Sequence, residues 1–308
     1  MRSIEIRPFD YPIGAEVMCG DIRTLDAPSR QRIRAAWLDH LVLLIRNQTL
    51  TADEQVEFMR SFGEVDLATP MSELPEGVRE RPNPYISMVS NIKTDGRPIG
   101  TLGDGEVVWH SDMSYHEVPI SASMLYAVEI PPAGGRTGFV NMYQALETLS
   151  PTLQERLKAL TIKNDATYNS AGQIRRGMTP VTDVRVSPGV SHPAIRTHPE
   201  TNCNALYLGR RPNAYVNGLP VAESEALLDH LWAHATSLPA WFHEWRVGDI
   251  IIWDNRCAMH RREPFDPATR RLLQRAQCKG TRPVLDPAGT TGHPRSRPYA
   301  TRPVAASA

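Results

Sequence analysis

The pattern of apolar and polar positions predicts a chain that begins with helices and continues mainly as short strands. Ile33, Trp37 and Leu41 recur every four residues, so their side chains would share one face of a helix. The apolar run LVLLI follows directly and is typical of a buried strand. Thr51 and Glu54 have the spacing of a capping box, which predicts that a second helix begins there.

Residues 70–84 are rich in Pro, Glu and Arg and predict a loop. Beyond them, short apolar runs separated by Pro- and Gly-bearing turns predict strands rather than helices. Many short strands favour a closed or double-sheet β architecture, with the helices packed outside it. Two helical patterns interrupt the strands, one opening at Ser150-Pro151 and one covering 223–234. The glycine-rich stretch 96–105 carries no phosphate-binding motif, so we interpret it as a flexible lid. The predicted strands lie at 85–90, 107–109, 123–130, 137–140, 205–208, 249–253 and 271–278.

Composition points to a globular protein that acts on a small molecule. Of the 308 residues, 41% are hydrophobic and 22% are charged, and the 34 basic residues balance the 34 acidic ones. No global basic field therefore exists to attract nucleic acid or an anionic membrane surface. The sequence shows neither the long apolar run of a membrane span nor the apolar core of a secretory signal, so we expect a cytoplasmic protein. The four cysteines form no C-x-x-C pair and are expected to be reduced thiols.

We predict one domain over residues 1–284, because no linker or internal repeat divides that range. Residues 285–308 are rich in Pro, Arg, Ala and Thr and show no periodicity. We therefore expect this C-terminal tail to be extended and to lie against a neighbour or remain loose.

The clearest candidate for a functional site is the segment Trp109-His110-Ser111-Asp112. On a strand, residues i and i+2 point the same way, so His110 and Asp112 would aim an imidazole and a carboxylate at one point. A second histidine from a distant segment would complete a facial triad of two histidines and one carboxylate. Such a triad leaves three coordination positions open and favours non-haem Fe(II).

His260 is the best candidate for that second histidine. It follows the apolar run 249–253, which breaks at a turn-forming Asp-Asn, so a strand end would deliver it to the mouth of a barrel. The other eight histidines lie in helical patterns, before prolines, among aromatic residues, just beyond the first ligand pair or in the tail. A bare His-x-Asp tripeptide is common by chance, so context must support the assignment.

The chain resembles the taurine dioxygenase and phenoxyacetate-herbicide dioxygenase family, the TauD/TfdA superfamily, from about residue 13 to residue 282. The resemblance implies a mainly β fold with added helices (α+β), built on a double-stranded β-helix or jelly-roll core. That fold agrees with the strand pattern. The matching blocks, in the family's order, are Trp109-His-Ser-Asp112, Pro132-Ala-Gly-Gly-Arg-Thr137, Arg196-Thr-His-Pro199, Gly248-Asp-Ile-Ile-Ile-Trp-Asp-Asn-Arg256, and His260 followed by Arg271 and Arg275.

The resemblance implies a metal and a co-substrate. It carries the iron-binding and catalytic role to His110, Asp112 and His260. An arginine eleven residues past the second histidine binds the far carboxylate of 2-oxoglutarate in that family, and here it is Arg271. A planar guanidinium can pair with a carboxylate through two charge-assisted hydrogen bonds, which lysine cannot do. Thr137 matches the threonine that donates a hydroxyl to the same co-substrate, although turn chemistry after Gly-Gly is an alternative reason for it.

Four residues are candidates for binding the primary substrate. Arg275 matches an arginine that contacts the anionic head of the substrate in the taurine and phenoxyacetate enzymes. Glu106 stands where the taurine enzyme has a substrate-contacting asparagine, and a carboxylate there would disfavour a second anion unless it lies in a solvated loop. Met113 and Tyr115 could line a hydrophobic pocket or belong to ordinary core packing.

The resemblance implies an oxidoreductase that uses Fe(II), 2-oxoglutarate and O₂ and yields succinate and CO₂. We expect hydroxylation of a small organic anion, such as an aryloxyalkanoate or alkylsulfonate, with C–O or C–S cleavage when the product is unstable. The alternatives are desaturation, an amino-acid-like or natural-product substrate, and a non-catalytic jelly-roll binding protein. A zinc hydrolase is disfavoured because the sequence has no H-E-x-x-H motif. We also expect a homo-oligomer.

Overall fold

The computed structural model describes residues 4–70, 74, 77–78, 81 and 83–293. Over this part of the chain, five α-helices and nineteen strands are formed. The helices are α1 (Ala27–His40), α2 (Ala52–Met59), α3 (Met142–Glu147), α4 (Pro151–Lys158) and α5 (Val221–Ser237). The first ten strands are β1 (Glu5–Pro8), β2 (Ala15–Met18), β3 (Val42–Ile45), β4 (Ser87–Ser90), β5 (Lys93–Thr94), β6 (Arg97–Pro98), β7 (Thr101–Leu102), β8 (Val107–His110), β9 (Ala122–Glu129) and β10 (Thr137–Asn141). The remaining strands are β11 (Thr161–Asp165), β12 (Gly189–Pro193), β13 (Ile195–Thr197), β14 (Asn204–Leu206), β15 (Tyr215–Val216), β16 (Trp241–His243), β17 (Ile250–Asp254), β18 (Ala258–Arg262) and β19 (Leu272–Cys278).

Two sheets form the centre of the fold. The larger has eight strands in the order β1-β2-β3-β17-β9-β19-β4-β7, and the smaller has four in the order β16-β10-β18-β8. Strands far apart in sequence are neighbours in both sheets, which is the arrangement of a jelly roll with added helices. The predicted fold class is therefore confirmed.

Successive residues of β17 belong to two different apolar cores, which explains why the large sheet is covered on both faces. Ile251 and Trp253 belong to the apolar core that also contains Phe139 of the small sheet. Ile250 and Ile252 belong to a second core that contains residues of α1 and α2. Successive strand residues point to opposite faces, so one face of the sheet packs on the small sheet and the other on the helices.

The second helix, α2, begins where the sequence predicts. The Thr51 hydroxyl accepts the Glu54 amide N–H, and the Glu54 carboxylate accepts the Thr51 N–H, which completes the capping box of α2. Asp26 caps α1 by accepting the Ser29 N–H. The predicted helix opening at Ser150 is confirmed, since its side chain accepts the Leu153 N–H.

The sequence pattern missed several elements, and α3 is the clearest case. Five of its six residues are buried, so it has no polar face and produces no helical periodicity. The glycine-rich stretch interpreted as a lid is more regular than expected, because it contains β6, which pairs with β5, and β7, which pairs with β4. Most of the loop predicted at 70–84 lies outside the described residues.

The tail lies on the core as far as it is described. The Asp286 N–H donates to the Thr197 hydroxyl, and Thr290 forms a parallel bridge with Cys203. His293 is buried and stacks on Tyr143 with ring centroids 4.5 Å apart. The domain boundary after residue 284 stays a prediction, and residues 294–308 lie outside the described part.

Cys19, Cys203, Cys257 and Cys278 are all buried and unpaired by disulfides. Among the helices described, none combines the length and apolar character needed to cross a membrane.

Candidate metal centre and substrate cleft

Two sheet neighbours bring the predicted histidines together. His110 ends β8 and lies directly opposite His260 of β18 in the antiparallel register. Directly opposed residues present their side chains on the same face of a sheet, and the two imidazole centroids are 4.1 Å apart. The Oδ1 atom of Asp112 is 3.3 Å from Nε2 of His110 and 3.8 Å from Nε2 of His260. All three side chains are buried, and one potential ligand atom from each lies within 4.8 Å of the others.

Asp112 reaches this position through a turn, not through continuation of the strand. β8 ends at His110, and Met113 adopts a left-handed φ of 54°. Asn255, at the end of β17, accepts the Asp112 N–H at 2.7 Å and donates to the Asp112 carbonyl at 2.9 Å. The same amide donates to the Ile120 carbonyl at 3.1 Å. Asn255 therefore fixes the backbone of Asp112 from both sides.

The two carboxylate oxygens of Asp112 have different partners. Oδ2 accepts the Ser123 hydroxyl at 3.0 Å and is 3.0 Å from the guanidinium of Arg275. Oδ1 faces His110 and His260. Because Oδ2 is already held by protein groups, Oδ1 is the oxygen available to a metal ion.

The protonation states suit metal binding. Nδ1 of His110 is 2.7 Å from the Val108 carbonyl, so it carries the proton and leaves the Nε2 lone pair free. Burial and the neighbouring His110 lower the pKa of His260 to about 3. Burial favours the protonated Asp112, but Arg275 and the two histidines outweigh it and hold the pKa of its carboxyl well below the usual range. A metal ion needs neutral imidazoles and an ionised carboxylate, and the pKa shifts of His260 and Asp112 favour those forms.

A cavity extends from the triad into the space between the two sheets. Thr137, Trp253 and Arg271 line it together with His260. Arg271 is 1% exposed, and its Nε and Nη1 have no hydrogen-bond partner in the described part of the protein. Burial and the neighbouring Arg262 lower its pKa to about 9. Buried polar groups are normally satisfied, so this arginine fits a carboxylate ligand.

Thr137 can donate into the same cavity. Its hydroxyl oxygen accepts the indole N–H of Trp245 at 2.9 Å, which leaves its own proton for another acceptor. The adjacent glycines are needed for packing: Gly135 has a φ of +66°, and a Cβ there would lie 3.3 Å from Nε of Arg271. The Gly-Gly of the 132–137 block thus brings the chain close to the guanidinium.

A larger cleft opens from the other side of the triad to solvent. Its empty space is about 1090 Å³, including open solvent at the mouth, and Met113, Tyr115 and Arg275 are among the residues that line it. Arg275 is anchored at the inner end, where it donates to the Ser123 hydroxyl at 3.2 Å and pairs with Asp112. The structure therefore gathers three of the four predicted substrate residues around one cleft.

Glu106 lies elsewhere. Its side chain is 51% exposed and is 3.4 Å from the guanidinium of Arg261, and it is not among the described residues that line the cleft. This position matches the solvated loop that the sequence left open as an alternative.

Sequence reasoning missed the residues that support the site. Asn255 lies in a matching block and ends a buried-strand pattern at Asp-Asn, but no sequence pattern indicates its hydrogen bonds to Asp112. Ser123 and Trp245 gave no local signal, because their contacts to Asp112 and Thr137 span 11 and 108 residues of sequence. Arg262, two residues past His260, donates hydrogen bonds from its guanidinium to the carbonyls of Leu102, Gly103 and Gly105.

A second group of potential metal ligands, His198, Asp254 and Cys257, is better explained as structure. Nε2 of His198 is 3.0 Å from Asp254, and its Nδ1 accepts the N–H groups of residues 200 and 201. Arg256 binds both oxygens of Asp254. Both ring nitrogens and the carboxylate therefore already have protein partners. Burial raises the pKa of the Cys257 thiol well above its ordinary value, which disfavours the thiolate that a metal would need.

Comparison with known proteins identifies relatives along nearly the whole chain. The sequence model of the family described as "Taurine catabolism dioxygenase TauD, TfdA family" matches residues 5–277. The (S)-phenoxypropionate/alpha-ketoglutarate-dioxygenase of Sphingobium herbicidovorans is 30% identical over 300 residues, covering 94% of this chain and 98% of the relative. The alpha-ketoglutarate-dependent 2,4-dichlorophenoxyacetate dioxygenase of Cupriavidus pinatubonensis is 35% identical over 289 residues, covering 89% and 97%. The crystal structure of AAD-2 in complex with Mn(II) and N-oxalylglycine superposes with a TM-score of 0.73 at 28% identity, covering 92% of this chain and all of that one.

Proposed function

This chain belongs to the TauD/TfdA family, and from that membership we infer that it is an Fe(II)- and 2-oxoglutarate-dependent dioxygenase. When bound, Fe(II) activates O₂ for oxidation of a substrate C–H bond while 2-oxoglutarate is converted to succinate and CO₂. The protein contributes the ligands, the orientation of both substrates and the exclusion of water. We propose the residues that perform each task.

We propose that His110, Asp112 and His260 hold the iron. The donor set of two neutral imidazoles and one carboxylate suits non-haem Fe(II) and leaves open positions for the co-substrate and O₂. The proposal is supported by the burial of the three groups and by the supporting hydrogen bonds of Asn255 and Ser123.

We propose that Arg271 and Thr137 bind the far carboxylate of 2-oxoglutarate. The single observation that carries this proposal is the buried guanidinium of Arg271 with two unpaired nitrogens, facing a cavity that leads to the triad. A carboxylate there would satisfy both nitrogens in a bidentate pair and reverse the lowering of the arginine pKa.

We propose that Arg275 binds the anionic group of the primary substrate at the inner end of the cleft. The relatives named for phenoxypropionate and 2,4-dichlorophenoxyacetate suggest an aryloxyalkanoate or a comparable small acid. Hydroxylation at the carbon that bears the ether oxygen would give a hemiacetal, which breaks at the C–O bond. With phenoxyacetate, the expected products are phenol and glyoxylate.

Anaerobic titration of the purified protein with Fe(II) and 2-oxoglutarate tests the cofactor assignment. Wild type should develop the weak visible charge-transfer band of the chelate, and Arg271→Gln should need much higher 2-oxoglutarate for the same band. Arg270→Gln is the matched control, because Arg270 is exposed and pairs with Glu129 at the surface. A wild type without the band, or equal effects of the two variants, contradicts the proposal.

The cytoplasmic location and self-association predicted from sequence also remain proposals. Light scattering coupled to size-exclusion chromatography measures the oligomeric state directly. A monomer at micromolar concentration would contradict the proposed self-association.

A further inference from the structure

The substrate cleft contains more positive charge than one substrate anion requires. The described cations that line it are Arg81, Arg175, Arg210 and Arg275, and the described carboxylates are Asp112 and Asp165. Asp112 is committed to the triad and to Arg275. Asp165 alone therefore faces three further arginines.

Arg81 is the least available of these three. Its guanidinium donates to the Ser87 hydroxyl at 3.0 Å and to the carbonyl of Thr69. It is best explained as a brace between the segments that form one wall of the cleft.

Arg210 is placed beside the metal centre by a backbone bridge. It forms an isolated antiparallel bridge with His110, and the Ser111 N–H donates to the Gly209 carbonyl at 3.0 Å. Bridged residues present side chains on the same side of the pair, so Arg210 enters the cleft next to His110. Gly209 allows this close approach, since a Cβ there would lie 1.7 Å from Oδ1 of Asn164.

Arg210 is buried but poorly paired. It is only 9% exposed, yet its Nε has no hydrogen-bond partner in the described part of the chain. Its contacts to Asp165 at 3.4 Å and to the Pro212 carbonyl at 3.5 Å are at the outer limit for hydrogen bonds. Oδ1 of Asp165 is also unpaired. A dedicated structural ion pair would be shorter and better satisfied.

Arg175 lies near Arg210 and is held by a different contact. Its guanidinium stacks on the ring of Tyr115 at 3.8 Å from the centroid, and its Nε is buried without a hydrogen-bond partner. Stacking leaves the N–H edge of a guanidinium open to an acceptor in its plane. The positive charge of Arg175 acts with burial to lower the pKa of Arg210, as expected for two close cations.

We propose that Arg210 and Arg175 form a second anion subsite and that the enzyme acts on a dianionic substrate. One anionic group lies on Arg275 near the iron, and the other lies between Arg210 and Arg175. The inference rests on the proposed function, since it assumes that the cleft holds the primary substrate. It narrows the substrate class from a simple aryloxyalkanoate to a compound with a second acidic group at its far end.

A matched pair of ligands tests this subsite. 4-Carboxyphenoxyacetate carries the second carboxylate, and 4-carbamoylphenoxyacetate has nearly the same shape without that charge. Their dissociation constants are measured anaerobically with the Fe(II) and 2-oxoglutarate complex, by isothermal titration calorimetry and by perturbation of the chelate band. Wild type should bind the dianion about ten- to a hundredfold more tightly, the range expected for charge-assisted hydrogen bonds.

Variants test which residues cause the tighter binding of the dianion. Arg175→Gln and Arg210→Gln should each reduce the preference at least fivefold, with little change for the carbamoyl compound. Asp165→Asn should keep or increase it, because a competing carboxylate is removed. Arg185→Gln is the control, since Arg185 is exposed and pairs with Asp183 outside the cleft.

The outcomes separate this proposal from the proposed function. Equal affinity of wild type for both ligands, no binding of either ligand, or an unchanged preference in both arginine variants overturns the second subsite. Loss of affinity for both ligands alike in Arg210→Gln, with the preference intact, indicates only a structural role for that residue. Absence of the chelate band overturns the dioxygenase assignment instead, because the band does not depend on the primary substrate.

Discussion

Replacing Asn255 by alanine should weaken both the fold and the metal site. The side chain is fully buried and makes hydrogen bonds of 2.7, 2.9 and 3.1 Å to the backbones of Asp112 and Ile120. Each bond contributes about 1 kcal/mol net, and a buried N–H or carbonyl left unpaired costs about 1–3 kcal/mol. We therefore expect the free energy of unfolding to fall by about 3 to 5 kcal/mol, which is within the stability of an ordinary domain.

The metal affinity should fall as well, because the lost bonds are those that hold Asp112 in place. Loss of an outer partner of a metal ligand typically weakens binding about ten- to a hundredfold. Urea unfolding of the metal-free protein gives the first quantity. Titration with Mn(II), followed by the paramagnetic resonance of the free ion, gives the second without any turnover.

Asn217→Ala is the matched control. Asn217 is partly exposed and far in sequence from the triad, and its amide donates to Thr161 and Ser191 at 2.8 Å. Its loss should therefore cost less than about 1 kcal/mol and leave Mn(II) affinity unchanged. If Asn255→Ala loses stability but binds Mn(II) within twofold of wild type, Asn255 does not position the ligand. That result would refute the reasoning even though the hydrogen bonds are real.

Three further changes test other parts of the site. Because the pKa of His260 is about 3 in the folded protein against an ordinary 6.5, the neutral form is favoured by folding. Stability should therefore fall as the pH drops below 6.5. Between pH 7 and pH 5, the free energy of unfolding of His260→Gln should fall by about 2 kcal/mol less than that of wild type, as measured by urea unfolding of the metal-free protein. Arg262→Gln should raise amide hydrogen exchange at residues 102–105 at least tenfold, because the carbonyls that it binds there lose their donor. Gly135→Ala should weaken 2-oxoglutarate binding about tenfold with Mn(II) affinity intact, because its φ of +66° disfavours a side chain and a Cβ would press on Arg271.

For His260→Gln, the same pH dependence of stability as in wild type would contradict the explanation. The other two changes each have a nearby control. Arg261→Gln removes the neighbouring guanidinium, whose ionic partner is Glu106, and should not change exchange at 102–105. At Gly105 an added Cβ meets nothing within 4 Å, so Gly105→Ala should bind 2-oxoglutarate normally. Equal effects of a variant and its control would contradict the corresponding explanation.

Local signals in the sequence determined the ends of elements and the kind of chemistry. The capping box at Thr51 predicts the start of α2 because both of its hydrogen bonds lie within one turn of chain. The apolar run at 249–253 predicts β17 to within one residue, because a strand buried on both faces needs few polar positions. His110 and Asp112 stand two residues apart, so the pair that would bind metal is visible without a fold.

Other features depended on contacts that no local pattern records. Asn255 is 143 residues from Asp112 in sequence, and which carboxylate oxygen stays free depends on Ser123 and Arg275. The pairing of β8 with β18 decides that His260 faces His110. The bridge that brings Arg210 into the cleft likewise joins residues 100 positions apart.

The sequence by itself therefore determined the family, the jelly-roll class and the residue types that suit iron and 2-oxoglutarate, because these follow from short motifs and strand-length apolar runs. Only the tertiary structure decided which of the candidate residues meet. It separated Glu106 from the cleft and added Asn255, Arg262 and Arg210 to the surroundings of the site. The physical reason is that hydrogen bonds and ion pairs between sheet neighbours depend on strand register, and register is fixed by the packing of the whole core.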